Sequence, residues 1–334
     1  MEKQQLANWW KKENDGIRCY LCPWKCFIKK DEIGICKVRK NISNKLYSLV
    51  YGKPAAMSVD PIEKKPLYHY LPGTTSFSIG TFGCNMQCKF CQNWDLSQRD
   101  MKNLEFEIDY YSPDKIVELA MNNNCRSIAF TYNEPTIFGE YVIDIAKLAK
   151  KNNIKTIMVT NGYILSEARS EIYNYIDAVN IDIKGFTETF YKSFTGGSLK
   201  NVLDTILYLK KENIHIEVTT LLINGENDNE NELKREFSWI NENLGSDAPL
   251  HLSAFHPAYK MKDQEMTTLP SLQNAYQIAK ESGINFVYLG NVMGVDNNTY
   301  CSKCGKLIIN RSGYSTKIKQ TNKCECGENI PIIF

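Results

Sequence analysis

The chain of 334 residues has no run of about 18 apolar residues, so nothing in it reads as a membrane-spanning helix. It has no excess of either charge. Forty Lys and Arg face 38 Asp and Glu, and a net charge of +2 gives no strong overall field toward nucleic acid or an anionic membrane. Internal repeats and low-complexity tracts are also missing. The start, Met1-Glu2-Lys3-Gln4-Gln5, is too polar for a signal peptide, and a cytoplasmic location is expected. With 43% hydrophobic and 23% charged residues the composition is that of an ordinary globular protein. What stands out is cysteine, 12 in all. In a reducing compartment such a number points to metal binding rather than disulfides.

The cysteines fall into three groups: Cys19, Cys22, Cys26 and Cys36; Cys84, Cys88 and Cys91; and Cys301, Cys304, Cys324 and Cys326, with Cys125 alone and read as a packed thiol. Four thiolates close a tetrahedral or cubane site, whereas three leave a coordination position open for chemistry. Charge follows the same partition. Residues 1–70 hold 14 basic against 7 acidic side chains, residues 300–334 hold 6 against 2, and the middle holds 20 against 29. Lysines near a four-thiolate site offset its negative charge. The expected organisation is a cysteine-rich N-terminal extension over 1–76, a central domain over 77–294 and a small C-terminal module over 295–334. The two ends read as irregular and turn-rich.

The central part alternates short β-branched runs with amphipathic stretches. Ser76–Phe82, Ser127–Tyr132, Lys155–Thr160, Ala178–Ile183, Ile214–Leu222, Leu250–Phe255 and Ile284–Leu289 read as buried strands. Between them, Ser112–Asn123 opens with a capping Ser and Pro113, and the stretches from Phe138 to Ala149 and from Leu199 to Leu207 repeat apolar residues at three and four. Such alternation implies parallel strands joined by right-handed crossovers, in either a partial (β/α) barrel or a doubly wound sheet. In both, functional residues lie beyond the C-terminal strand ends. That rule selects Gly83–Cys91, Asn133-Glu134-Pro135, Asn161-Gly162, Lys184-Gly185, Asn224-Gly225 and His256-Pro257, which read as one shared pocket.

The strongest motif is Thr81-Phe82-Gly83-Cys84-Asn85-Met86-Gln87-Cys88-Lys89-Phe90-Cys91. Three thiolates in one loop reach three corners of a [4Fe-4S] cube and leave the fourth iron without a protein ligand. Simple packing of three thiols fits poorly with a polar loop. A three-cysteine zinc site fits poorly because zinc draws ligands from separated pairs and commonly includes His. Cys-x3-Cys-x2-Cys with an aromatic before the last cysteine, after the first strand, resembles the radical S-adenosylmethionine superfamily. The resemblance implies a partial TIM-type (β/α)6 barrel. It also implies S-adenosylmethionine chelating the open iron, and one-electron cleavage to a 5′-deoxyadenosyl radical that abstracts hydrogen.

Other strand exits take roles from the same resemblance. Tyr132-Asn133-Glu134-Pro135 stands where the family has Gly-Gly-Glu-Pro, with both glycines replaced, and implies that Asn133 and Glu134 receive the methionine amino group. An ionised Glu134 facing an ammonium makes a charge-assisted hydrogen bond. Asp182-Ile183-Lys184 resembles the Asp-x-Lys of glycyl-radical activating enzymes, the acid on the ribose and the lysine on the methionine carboxylate. Two residues apart in a strand, the pair shares a face. His256 matches a histidine that lies against the adenosine, while His215 and His251 read as structural.

Cys301-x2-Cys304-Gly and Cys324-x-Cys326-Gly form two knuckles that look like a zinc ribbon, with zinc favoured over iron. Cys19-x2-Cys22-x3-Cys26-x9-Cys36 suits zinc or an auxiliary iron–sulfur cluster equally. The run Asp60–Gly73, Tyr288–Val292 and Asn298–Cys301 are similar to the radical enzyme of the AmmeMemoRadiSam group, itself similar to pyruvate formate-lyase activating enzymes. That resemblance implies Memo-like and AMMECR-like partners; a reduced flavodoxin- or ferredoxin-type electron donor is expected for the one-electron step. Two readings of the substrate stay open, a partner protein's glycine and a small molecule. A reading from another class, a zinc-binding adaptor or nucleic-acid binder with basic ends, leaves the strand-exit residues unexplained.

Overall fold

The computed structural model describes residues 5–99 and 108–334; Met1–Gln4 of the polar start lie outside the described residues. Eight strands form the central sheet: β1 (Ala56–Pro61), β2 (Thr75–Gly80), β3 (Ser127–Phe130), β4 (Lys155–Thr160), β5 (Ala178–Ile183), β6 (His215–Leu222), β7 (Leu250–Ala254) and β8 (Val287–Gly290). They lie side by side in chain order. β1 runs antiparallel to β2, and every later pair is parallel. A parallel sheet wound in one direction by right-handed crossovers carries its helices on one face. This excludes the doubly wound alternative, whose strand order reverses.

β2 to β8 correspond to the seven expected strands. β1 is an addition. Ala-Met-Ser-Val-Asp-Pro ends on a proline and exposes Ser58 and Val59, as an edge strand can. Six helices cover the sheet: α1 (Pro113–Asn122), α2 (Gly139–Lys151), α3 (Ser166–Tyr173), α4 (Leu199–Lys211), α5 (Glu230–Leu244) and α6 (Leu269–Glu281). α1 begins as its sequence requires, with Ser112 Oγ accepting from Lys115 N–H and Pro113 in the first turn. α2 buries Tyr141, Val142, Ile145, Ala146 and Ala149 on the side facing the sheet. Each large apolar side chain so buried contributes about 1.5–3 kcal/mol.

The two ends are not irregular. The N-terminal segment folds into two three-stranded antiparallel sheets and the C-terminal segment into a third, too short in their strands and too rich in turns for periodicity to show them. The N-terminal segment shares the central hydrophobic core through Ile17, Leu21, Ile28, Val38 and Leu46. A buried ion pair fastens it further. Arg39 Nη2 lies 2.6 Å from both carboxylate oxygens of Glu140 in α2, and Asn8 N–H donates to Glu140 Oε1 at 2.6 Å.

The C-terminal segment packs where β6 and β8 begin, at the end of the sheet opposite the strand exits. There Glu217 accepts from the backbone N–H of Tyr68 and His69 at 2.9 and 2.7 Å and from His215 and His251 at 3.1 and 2.7 Å. Two histidines inside strands are thereby used structurally. His69 Nδ1 donates to Pro331 O at 3.2 Å and its Nε2 accepts from Tyr288 Oη at 2.7 Å, because a carbonyl can only accept. No helix among the described residues is long and apolar enough to cross a membrane.

Candidate active site

The loop after β2 carries the three central cysteines, and its backbone is held from several sides. Gly83 N–H donates to Leu96 O, Gln87 N–H to Thr195 O and Lys89 N–H to Phe194 O, at 3.0, 2.8 and 2.9 Å. The buried Asn85 donates through Nδ2 to Tyr163 O at 2.7 Å. A polar loop inside the protein requires such partners, since each unpaired buried amide or carbonyl costs about 1–3 kcal/mol. The result is a fixed presentation of Cys84, Cys88 and Cys91 toward one cavity of about 250 Å³ that opens to solvent.

Cys84, Cys88, Cys91, Asn133, Glu134, Asp182 and Lys184 all line this cavity, and so do Asn161, Thr219, Leu221, Ser253 and Asn291. These residues come from the C-terminal ends of all seven parallel strands, β2 to β8, or from just beyond them, as the rule for such sheets demands. His256 does not line it. Its Nε2 donates to Asn291 O at 2.9 Å, so it stands behind a residue that does.

Glu134 follows β3 and is buried. Its Oε1 accepts from Thr136 N–H and Thr160 Oγ1 at 2.9 and 2.8 Å, and its Oε2 from Asn161 N–H at 2.8 Å. Burial pushes its carboxyl above the usual range despite these donors. Such an acid gains from a cation placed against it. Asn133 uses its amide differently. Its Oδ1 accepts from Thr81 N–H at 3.0 Å while Nδ2 donates to Thr81 Oγ1 and Gly83 O at 3.1 and 2.8 Å, so it braces the cysteine loop.

Asp182 Oδ2 and Lys184 Nζ are paired at 3.0 Å on the cavity wall. Burial lowers the Lys184 pKa, but Asp182 and Cys88 outweigh it and hold the ammonium above its ordinary value. Burial also lifts the thiols: Cys84 well above the usual thiol, Cys88 up to about 12 against the pull of Lys184, and Cys91 upward against the neighbouring Ser97 hydroxyl. Thiols so placed become thiolates when a metal replaces their protons.

Sequence reasoning did not single out Asn161 beyond its position at a strand exit. It donates to Glu134, to Asn85 Oδ1 at 2.9 Å and to Cys84 Sγ at 3.8 Å, linking two of the expected site elements. It also missed the support beneath Tyr132. That residue has φ +71°, takes the place of a family glycine, and donates through Oη to Asp60 Oδ2 at 2.8 Å. Asp60 in turn binds Lys64 and Lys65.

All twelve cysteines are free thiols. Among the described residues, the one set of three or more metal-binding side chains whose ligand atoms all lie within 4.8 Å of one another is Cys301, Cys304, Cys324 and Cys326. Cys301 and Cys326 approach to 3.7 Å and Cys304 and Cys324 to 3.5 Å. The three thiols of the loop are set wider than this. Three wide-set thiols in a cavity that also offers a buried carboxyl and an ammonium suit a polynuclear cluster with an open side better than one metal ion.

A family model described as the radical SAM superfamily matches residues 78–237. The chain is 40% identical over 330 residues to an uncharacterised protein of Methanocaldococcus jannaschii, spanning 97% of this chain and 98% of that one. It is 24% identical over 190 residues to the pyruvate formate-lyase 1-activating enzyme of Escherichia coli, covering 54% of this chain and 74% of that enzyme. Among solved structures, Streptococcus suis SuiB bound to S-adenosylmethionine superposes with a TM-score of 0.50 at 12% identity, over 70% of this chain and 53% of that one, a likeness of fold. Residues 78–237 are a radical SAM superfamily region, and the chain is similar to glycyl-radical activating enzymes. That region implies a [4Fe-4S] cluster and S-adenosylmethionine.

Proposed function

We propose that this chain cleaves S-adenosylmethionine reductively at a [4Fe-4S] cluster held by Cys84, Cys88 and Cys91, and uses the product for hydrogen abstraction. The observation that carries the reading is that these three thiols, Glu134 and the Asp182–Lys184 pair open on one cavity. When bound, the cluster and S-adenosylmethionine together supply one-electron chemistry that ends in removal of a hydrogen atom from a substrate.

The chain's own residues bind and orient. Glu134 offers its buried carboxylate to an ammonium, and Lys184 exchanges Asp182 for an incoming carboxylate, which frees Asp182 for a ribose hydroxyl. Asn133 holds the loop rather than the cofactor, as its fully engaged amide suggests. His256 positions Asn291 on the adenosine side. For the C-terminal four cysteines zinc is the metal of this reading. A Zn–S distance of about 2.3 Å sets tetrahedral sulfur–sulfur edges near 3.8 Å, close to the 3.5 and 3.7 Å found. The likeness of runs 60–73, 288–292 and 298–301 to the AmmeMemoRadiSam group supports Memo-like and AMMECR-like partners in this reading, and a reduced flavodoxin or ferredoxin is its electron donor.

The test is Cys88→Ala, reconstituted with iron and sulfide under argon and reduced with dithionite. The expected outcome is no 5′-deoxyadenosine, with the circular dichroism of the wild type. Deoxyadenosine formed at the wild-type rate would refute the assignment.

A further inference from the structure

The four N-terminal cysteines lie together in space although 17 positions separate the first from the last. Cys19, Cys22, Cys26 and Cys36 line one small cavity, walled by Leu21, Trp24, Ile28 and Ile137 and by the cations Lys25 and Arg39. Cys19, Cys22 and Cys36 are buried.

They are nevertheless set apart. No three of them fall within the 4.8 Å that the C-terminal four satisfy, so this chain contains both geometries side by side. Their backbone is also fixed. Cys19 N–H donates to Cys26 O at 3.0 Å, Lys25 N–H to Cys22 O at 3.1 Å and Lys37 N–H to Gly34 O at 2.8 Å. One zinc ion requires sulfur–sulfur edges of about 3.8 Å, closer than any three of these thiols stand to one another. A cubane places its four thiolates on separate irons and therefore wider apart, and a mostly apolar wall with Lys25 and Arg39 to offset its net negative charge suits it. From this we infer that Cys19, Cys22, Cys26 and Cys36 ligate a second, fully coordinated [4Fe-4S] cluster.

This site adjoins the loop of the proposed active site. Trp24 Nε1 donates to Asn85 O at 2.7 Å, between the first two cysteines of that loop. Gly83 lies so close that a Cβ there would come within 2.4 Å of Cys36 O. The inference does not depend on the cleavage reaction proposed above, because it rests on other residues.

The test reconstitutes the full chain anaerobically and counts metal and sulfide. The wild type should hold about eight irons, and the triple variant Cys84→Ala/Cys88→Ala/Cys91→Ala about four. The cluster left in the triple variant should give a reduced electron paramagnetic resonance signal that S-adenosylmethionine does not shift, since no iron is open. Cys22→Ser/Cys26→Ser should also hold about four irons, with a signal that S-adenosylmethionine does shift. A triple variant with no iron, or one carrying about two zinc ions per chain in place of it, overturns the inference. Because the triple variant leaves the N-terminal residues intact, its result stands even if Cys22→Ser/Cys26→Ser does not fold. A triple variant that keeps all the wild-type iron would instead contradict the assignment of the active-site cluster.

Discussion

Tyr132 shows how one residue carries a site that it does not chemically serve. A side chain in the left-handed region costs about 1–2 kcal/mol relative to glycine, and at φ +71° Tyr132 bears that cost next to Asn133 and Glu134. Its bond to Asp60, whose carboxyl the neighbouring lysines and the tyrosine hold well below the usual range against its partial burial, offsets the strain. Tyr132→Phe keeps the strain and loses the bond, so it should destabilise the metal-free chain by about 1–2 kcal/mol, read from urea unfolding. An unchanged midpoint would show that the hydroxyl anchors nothing. Glu134, Asp182 and Lys184 were legible in the sequence because a short local motif holds each. The Tyr132–Asp60 bond was not, because its partners are 72 positions apart and neither is unusual alone. Asn133 was legible as a cavity residue, but its engagement with the loop depends on Thr81 and Gly83, which only folding brings to it.

At the scale of elements, strands β2 to β8 could be read because each is a short buried run between turns, while β1 and the small end sheets could not. Their strands gain order from neighbours rather than from periodicity. The cysteine loop belongs with these context-dependent pieces. Gly83 has φ +90°, and a methyl group there would meet Val38 Cγ1 at 2.6 Å as well as Cys36 O. Gly83→Ala should therefore cost about 1–3 kcal/mol in backbone strain alone and lower iron incorporation at the active-site loop. Wild-type iron content and stability in this variant would mean that the loop yields freely and is not preorganised.

Across the whole molecule, acid should loosen the seat of the C-terminal segment. Burial holds the His69 pKa down to about 3, although Glu217 pulls the other way. The unfolded chain takes up this proton near pH 6.5, so its contribution is intact above that pH and is lost as the pH falls toward 3. Denaturant midpoints should fall between pH 6.5 and 5, and His69→Gln should flatten that slope. A wild-type midpoint that is level across this window would contradict the buried neutral histidine.

The ion pair between Arg39 and Glu140 joins residues 101 positions apart. Losing one partner of a buried pair costs about 3–5 kcal/mol, a large share of the 5–15 kcal/mol by which a native protein is stable. Changing either residue alone strands the other's charge in the interior, so a front segment lacking a base at position 39 would leave Glu140 of the second helix buried without its cation.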